Sequence, residues 1–258
     1  MSGAGMIYCT LLSAVIGSVF GSFINCAAYR ISKGESFVKG RSYCPNCGHE
    51  LGVLDLFPVF SWLFLRGRCR YCGEKISARY ILAELFFAGL TVCCFLKFGI
   101  SVAALRNFVF LCCLFCLALV DMQSFIIPDG CLMIAALAWA LAVPFLRLWP
   151  EGVIKSLLAA LIYGGGMLVL SLVMDRLLGK ESLGGGDIKL FAVVGLYLGL
   201  IQTLFCLLLS SVLGLLFIAA SKKKRGEEIP FGPAIALAAG IMLFFGDSFT
   251  SWYLGLLS

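Results

Sequence analysis

Charge is scarce in this sequence. Only 13% of its 258 residues are charged, against 61% apolar, where soluble domains carry roughly a quarter charged and half apolar. A soluble globular chain is excluded. Polar sequence is also missing outside one stretch, Arg30 to Arg79, so only one extramembrane domain is possible. Nothing marks the first apolar run as a removable signal: no positive residue precedes it. It passes into Gly21-Ser22-Phe23-Ile24-Asn25 without an A-x-A-like cleavage site, and is expected to stay in the protein. No internal repeat is visible, and no Rossmann-type glycine pattern follows a strand.

What is present in quantity is apolar sequence in runs of about 20, the length a helix needs to cross ~30 Å of hydrocarbon. Eight such runs lie near 6–29, 80–98, 107–121, 128–146, 156–174, 188–201, 203–220 and 231–252. The reading is an all-α polytopic membrane protein of about eight spans, with a first transmembrane helix over 1–29, a cytosolic domain over 30–79 and a seven-helix membrane domain over 80–258. Placing loops alternately on two sides sends sixteen of the twenty Lys and Arg to one side and only Lys97, Arg106, Arg147 and Lys155 to the other. The positive-inside rule then puts both termini outside and the loops at 30–79, 122–127, 175–187 and 221–230 in the cytosol. The net charge of +6 reflects this topology and attraction to anionic lipid, with Lys222 to Arg225 as an anchor; nucleic acid is not implied.

The 30–79 stretch is small for a self-sufficient hydrophobic core and needs a staple. Cys44-Pro45-Asn46-Cys47 and Cys69-Arg70-Tyr71-Cys72, each followed by Gly, supply one. Paired C-x-x-C-G turns close a tetrahedral site with four thiolates, and in the reducing cytosol such pairs bind metal rather than form lasting disulfides. Zinc is expected, in a structural role, because four cysteines leave no open position. His49, the only histidine, reads as an exposed turn residue. The other nine cysteines lie in apolar runs and read as small hydrophobes.

Carboxylates in or beside membrane helices are costly, and each is a functional hypothesis. Asp121 ends the third run and Asp187 begins the sixth, on the same side, so both can sit at one depth. Asp129 lies at the same border and Glu84 within the second run, whereas Asp247 belongs near the outer face. Gly184-Gly185-Gly186 before Asp187 permits close approach of another backbone; equally, these residues form an ordinary loop with Asp187 as a helix cap. Two facing carboxylates share one proton. One is then a base that activates water, the other an acid that polarises an amide carbonyl and protonates the leaving amine. Ion or proton passage through a transporter is the competing use of such a pair. Gly164-Gly165-Gly166, inside an apolar run, reads as a helix-packing site.

The motifs jointly resemble the type IV prepilin peptidases, bifunctional leader peptidases and N-methyltransferases of the GxGD aspartic membrane protease class. The resemblance runs through Gly21 to Asn25, Tyr29-Arg30, Ser42 to Cys47, Pro58 to Leu63 and Leu65 to Cys72. It continues through Glu84, Asp121 with Ile127-Pro128-Asp129, Gly184 to Lys189, and Pro230-Phe231-Gly232-Pro233. Phe57 stands where the pattern has Ile. The resemblance implies that Asp121 and Asp187 are the catalytic dyad, with Asp129, Gly184, Gly186, Lys189 and Glu84 in support and Cys44, Cys47, Cys69 and Cys72 on zinc. It also implies a bacterial inner-membrane enzyme acting on prepilin or pseudopilin precursors with short basic leaders. The cut follows a glycine on the cytosolic side, and the new N-terminus is methylated from S-adenosylmethionine, with the four-cysteine domain and Glu84 as candidate contributors. The polar leader is expected to reach the 30–79 loop. A zinc-stapled transporter and a noncatalytic pilus or secretion assembly subunit are the alternatives; paired aspartates at one depth favour neither.

Overall fold

The computed structural model describes residues 3–36, 40–146, 148–179, 183–220 and 230–257. The Lys222 to Arg225 anchor lies outside these residues, as do Lys39, Arg147 and Lys180. The named elements of the described residues are all helical, with two isolated bridges in the non-helical segments. In order it runs through α1 (Gly3–Ser32), a 3-10 turn (Val53–Asp55), α2 (Phe60–Phe64), α3 (Arg79–Phe98), α4 (Val102–Ser124) and α5 (Asp129–Ala142). Then come α6 (Glu151–Ala160), a π-helical turn (Leu161–Gly165), α7 (Gly166–Leu178), α8 (Gly185–Ala220) and α9 (Gly232–Leu257). Two compact units divide it, Met1–Ala104 and Leu105–Ser258.

In the first unit α1 and α3 lie antiparallel in close contact. Lipid offers no hydrophobic drive for two apolar helices to associate, so small residues that let backbones approach become the adhesive. Gly17 faces Ala88 and Thr91, and Gly21 faces Glu84 and Phe87. A Cβ on Gly17 would come within 2.8 Å of the Ala88 backbone. Between these helices the chain leaves the apolar phase at Arg30, whose buried guanidinium donates to the carbonyls of Arg41 at 2.7 Å and Gly40 at 3.3 Å. The clamp ties the end of α1 to the start of the cysteine module.

In the second unit α6, the π-turn and α7 form one continuous apolar stretch that packs against the first part of α8. Gly195 sits on the Ala159–Ala160 backbone, where a Cβ would meet Ala160 N at 2.8 Å, and Gly164 faces Ala192. The 164–166 glycines thus include a packing position, as their setting predicts. Tyr197 stacks on Phe110 with ring centroids 3.9 Å apart and donates to the Ala135 carbonyl at 2.8 Å, tying α8 to α4 and α5.

Among the described residues six helices are long and apolar enough to span a membrane. The difference from the eight apolar runs has two sources. Helix α5 holds only 14 residues, because the chain turns at Val143 before Pro144, so the 128–146 run is not all helix. The 188–201 and 203–220 runs form one element, α8, whose backbone leaves helical space at Gly199 (φ 72°, ψ −172°). That break reverses the chain. Gly186 touches Ile127, Gly214 touches Phe231, and the adjacent Gly232 touches Asp121, so both ends of α8 lie at one end of the unit. A straight helix would separate Gly186 and Gly214 by about 42 Å. The second arm runs antiparallel to α9, with Gln202 against Gly246 at the far end.

Close packing at Gly195 has a measurable consequence. Gly195→Val should lower thermal stability in detergent by ~1–3 kcal/mol through overpacking. Gly166→Val, at a position with no neighbour within 4 Å, should leave the unfolding temperature nearly unchanged.

Candidate active site and metal centre

Helix ends build the site in the second unit. Asp121 occupies the last turn of α4 and is buried. Its Oδ2 accepts the backbone N–H of Gly232 at 2.8 Å. That amide is one of the donors left without an intrahelical partner at the start of α9, where the helix dipole also favours negative charge. Only glycine permits the approach, since a Cβ at position 232 would lie 2.7 Å from Asp121 Oδ2. The flanking Pro230 and Pro233 suit a chain that enters a helix at this point.

Asp187 stands half-buried in the first turn of α8. Its amide bonds to the Gly184 carbonyl at 3.0 Å. Gly186 presses on Ile127, where a Cβ would meet the Ile127 Cβ at 2.9 Å, so the glycine run lets α8 begin tightly against the α4–α5 connection. The outcome is that Asp121 and Asp187 lie within electrostatic range of one another, one at a helix C-terminus and one at a helix N-terminus.

Asp129, in the first turn of α5, accepts an ion pair from Lys189 Nζ at 2.8 Å. Both side chains are well exposed, so the pair adds little stability. It aligns the starts of α5 and α8 beside the two aspartates. Asp247 lies fifteen residues along α9 from Gly232, about 22 Å by helix rise, and accepts from Gln202 Nε2 at 2.9 Å. It stands apart from the other three.

Glu84 belongs to the first unit. It is buried on α3, and its Oε2 accepts the Val59 amide at 2.8 Å. Val59 has φ 64°, which a β-branched residue adopts only when its surroundings impose it.

The four cysteines of the first unit converge, all Sγ atoms lying within 4.8 Å of one another. A zinc ion with Zn–S distances of ~2.3 Å sets tetrahedral sulfurs about 3.8 Å apart, and Cys44 Sγ to Cys72 Sγ is already 3.9 Å. The cluster can bind a metal. Each half is the same turn: Cys44 N donates to the His49 carbonyl and Gly48 N to the Cys44 carbonyl, both at 2.9 Å, while Cys69, Glu74 and Gly73 repeat the pattern. Gly48 and Gly73 each have φ 71°, hence a glycine after each pair. The Cys47 amide facing Cys44 draws its thiol down to about 7, burial opposing. For Cys47 the His49 amide lowers the value, but burial and the neighbouring sulfurs outweigh it and raise the thiol to about 11. Four sulfurs this close invite a cation. His49 is not in the set; its ring packs on Tyr71 at 3.6 Å.

Around the knuckles Asp55 is held ionised. Burial alone would raise its carboxyl, but the Gly52 amide, the Tyr71 hydroxyl and Arg70 outweigh burial and hold it below the usual carboxylate range. Tyr71 Oη donates to it at 3.1 Å and Arg70 Nε lies 2.7 Å away. Asp55, Arg30 and Gly232 are the contributors that sequence reasoning did not single out. Arg30 and Gly232 each left a signal, as members of the Tyr29-Arg30 and Pro230-Phe231-Gly232-Pro233 motifs.

Residues 15–98 match the family model described as Bacterial Peptidase A24 N-terminal domain, and residues 108–219 the one described as Type IV leader peptidase family. A prepilin leader peptidase/N-methyltransferase of Bacillus subtilis is 33% identical over 246 residues, which cover 93% of this chain and 96% of the relative. Those of Aeromonas hydrophila (37% identical; 83% of this chain, 74% of the relative) and Burkholderia pseudomallei strain K96243 (34%; 91% and 85%) carry the same name. No solved structure matches. With both segments matched and the similarity running nearly end to end, the chain belongs to the type IV leader peptidase family.

Proposed function

We infer that this chain removes the leader from type IV prepilin-like precursors and N-methylates the residue exposed by the cut, as a multi-pass enzyme of the bacterial inner membrane. The observation that supports the peptidase reading is that Asp121, at the end of α4, and Asp187, at the start of α8, lie within electrostatic range of one another.

The reaction needs one carboxylate as base and one carboxyl as acid. The ionised member takes a proton from water as its oxygen attacks the scissile carbonyl carbon. The protonated member donates to the carbonyl oxygen and afterwards a proton passes to the leaving amine. Gly232 N–H holds the Asp121 carboxyl in place, and the Lys189–Asp129 pair keeps the two helix starts aligned. Gly184, where a Cβ would stand 3.3 Å from Asp187 Oδ2, keeps the side of Asp187 uncrowded for an extended precursor strand, while Gly186 packs on Ile127. The substrate is a precursor whose short basic leader precedes an apolar helix, cut after a glycine at the cytosolic border, with both enzyme termini outside.

For the four cysteines zinc suits the donor set. Bound, it would close the 44–72 module and supply no open position for catalysis. S-adenosylmethionine is the methyl donor implied by the family. Within the glycine run 164–166, Gly164 offers it no opening, because Ala192 fills its face.

Coexpression with a prepilin tests the dyad: the intact protein should shift the precursor to its mature mobility, and Asp121→Asn or Asp187→Asn should leave it uncut. Full cleavage by either variant ends the assignment. Gly232→Ala should slow cleavage by about 10²-fold by displacing Asp121, while Gly240→Ala, with open space around it, should not. Replacing Cys44 and Cys72 by Ser should abolish zinc binding and make the 30–79 segment protease-sensitive with the spans still inserted; stoichiometric zinc in that variant would refute the four-ligand site.

A further inference from the structure

The first unit exposes an apolar surface that leader cleavage does not explain. Between the two knuckles, Leu54, Phe57, Phe60 and Phe64 are 73%, 55%, 54% and 82% exposed. With Leu65 and Arg70 they line an open groove of about 360 Å³. A free cytosolic module with four such side chains on one face would be a liability in water.

The depth of this face can be read from α3. That helix has 20 residues, about 30 Å, which matches the hydrocarbon thickness with nothing to spare. Arg79 therefore marks the border, and Glu84 lies five residues, ~7.5 Å, inside it. Glu84 holds the Val59 amide at 2.8 Å, so the backbone entering α2 is fixed at that depth beside the span. The exposed side chains of α2 follow directly on that anchored residue.

Rigid contacts keep α2 there. Trp62 Nε1 donates to the Ile76 carbonyl at 3.2 Å, and its ring lies against Gly67. Arg70 is pinned by Asp55 at 2.7 Å. Val59 and Arg66, the residues flanking α2 and Leu65, both have positive φ (64° and 51°), conformations that persist only where the surroundings dictate them.

Charge matches the depth. Between residues 60 and 80 stand five Lys and Arg and one carboxylate, Glu74. Arg66, Arg68, Lys75 and Arg79 are exposed and carry no carboxylate partner among the described residues. An apolar face bordered by cations is the pattern of a segment lying in the interface of an anionic leaflet.

We propose that the Val53–Arg70 segment is an interfacial lipid-binding wedge. Its phenylalanine and leucine face inserts among the upper acyl chains, and Arg66 and Arg68 contact anionic headgroups of the same leaflet. The cysteine module is thereby seated on the membrane rather than suspended from α1 and α3.

The test uses the full chain reconstituted in vesicles with no other protein. Phe64→Trp adds a fluorophore at an exposed site, with Phe60→Trp as a second variant; retained prepilin cleavage shows that each is folded. Phospholipid brominated near the top of the acyl chain should quench the added emission at least about twofold, and aqueous iodide should quench it little. The bromolipid quenching should be stronger with phosphatidylglycerol present than in phosphatidylcholine alone, and Arg66→Gln with Arg68→Gln should remove that difference. Iodide quenching without bromolipid quenching overturns the proposal. So does shielding that appears only when a precursor is added, or only at high protein density, since either result gives the groove a protein occupant.

Discussion

A carboxyl group at the edge of a bilayer must be answered by something that does not neutralise its chemistry. A lysine or arginine in contact would fix it as a permanent anion, and water would cost it the ordered geometry that catalysis requires. For Asp121 the answer is a backbone amide, Gly232 N–H at 2.8 Å, offered by a helix start whose first amides have no other partner. The contact dictates much of the second unit. It needs a glycine at 232, it brings α9 to the end of α4, and it requires the α8 hairpin, because α9 can return to this end only if the chain has already come back along the second arm of α8. Lys189, the nearby cation, is turned to Asp129 instead.

Charge and cysteine made the candidate site legible in the sequence. Asp121 and Asp187 stood out because apolar surroundings make a carboxylate conspicuous, and the two C-x-x-C-G turns because their spacing has few other uses. Gly232 did not stand out as a functional group, since a backbone donor has no side-chain signature; only the prolines around it gave a sign. Glu84 was noticed for its charge, but its partner is the Val59 amide, and a backbone partner cannot be found by scanning for opposite charges. The apolar runs overstated α5, because composition ignores the turn that precedes Pro144. The 188–201 and 203–220 runs were separated in the sequence, whereas their union in one hairpin about Gly199 depended on a backbone conformation that hydropathy does not register.

The first unit follows another physical logic. Its polar module is too small to hold itself together by burial, and three kinds of contact replace a core: the four converging sulfurs, the Asp55 network with Arg70 and Tyr71, and the clamps of Arg30 and Glu84 onto the neighbouring backbone. The last two make the module an extension of its own membrane helices. In both units a charged side chain at a helix border is satisfied by main-chain groups, which secures position while leaving the exposed faces free to meet lipid or substrate.

The central claim is that Asp121 and Asp187 act as one catalytic unit, and the most direct measurement is the cleavage rate of a purified prepilin by Asp121→Asn, Asp187→Asn and the double variant. A shared mechanism predicts that each single substitution costs as much as both together, at least about a thousandfold. Singles that retain substantial activity, with a double variant whose loss is the product of theirs, would contradict it.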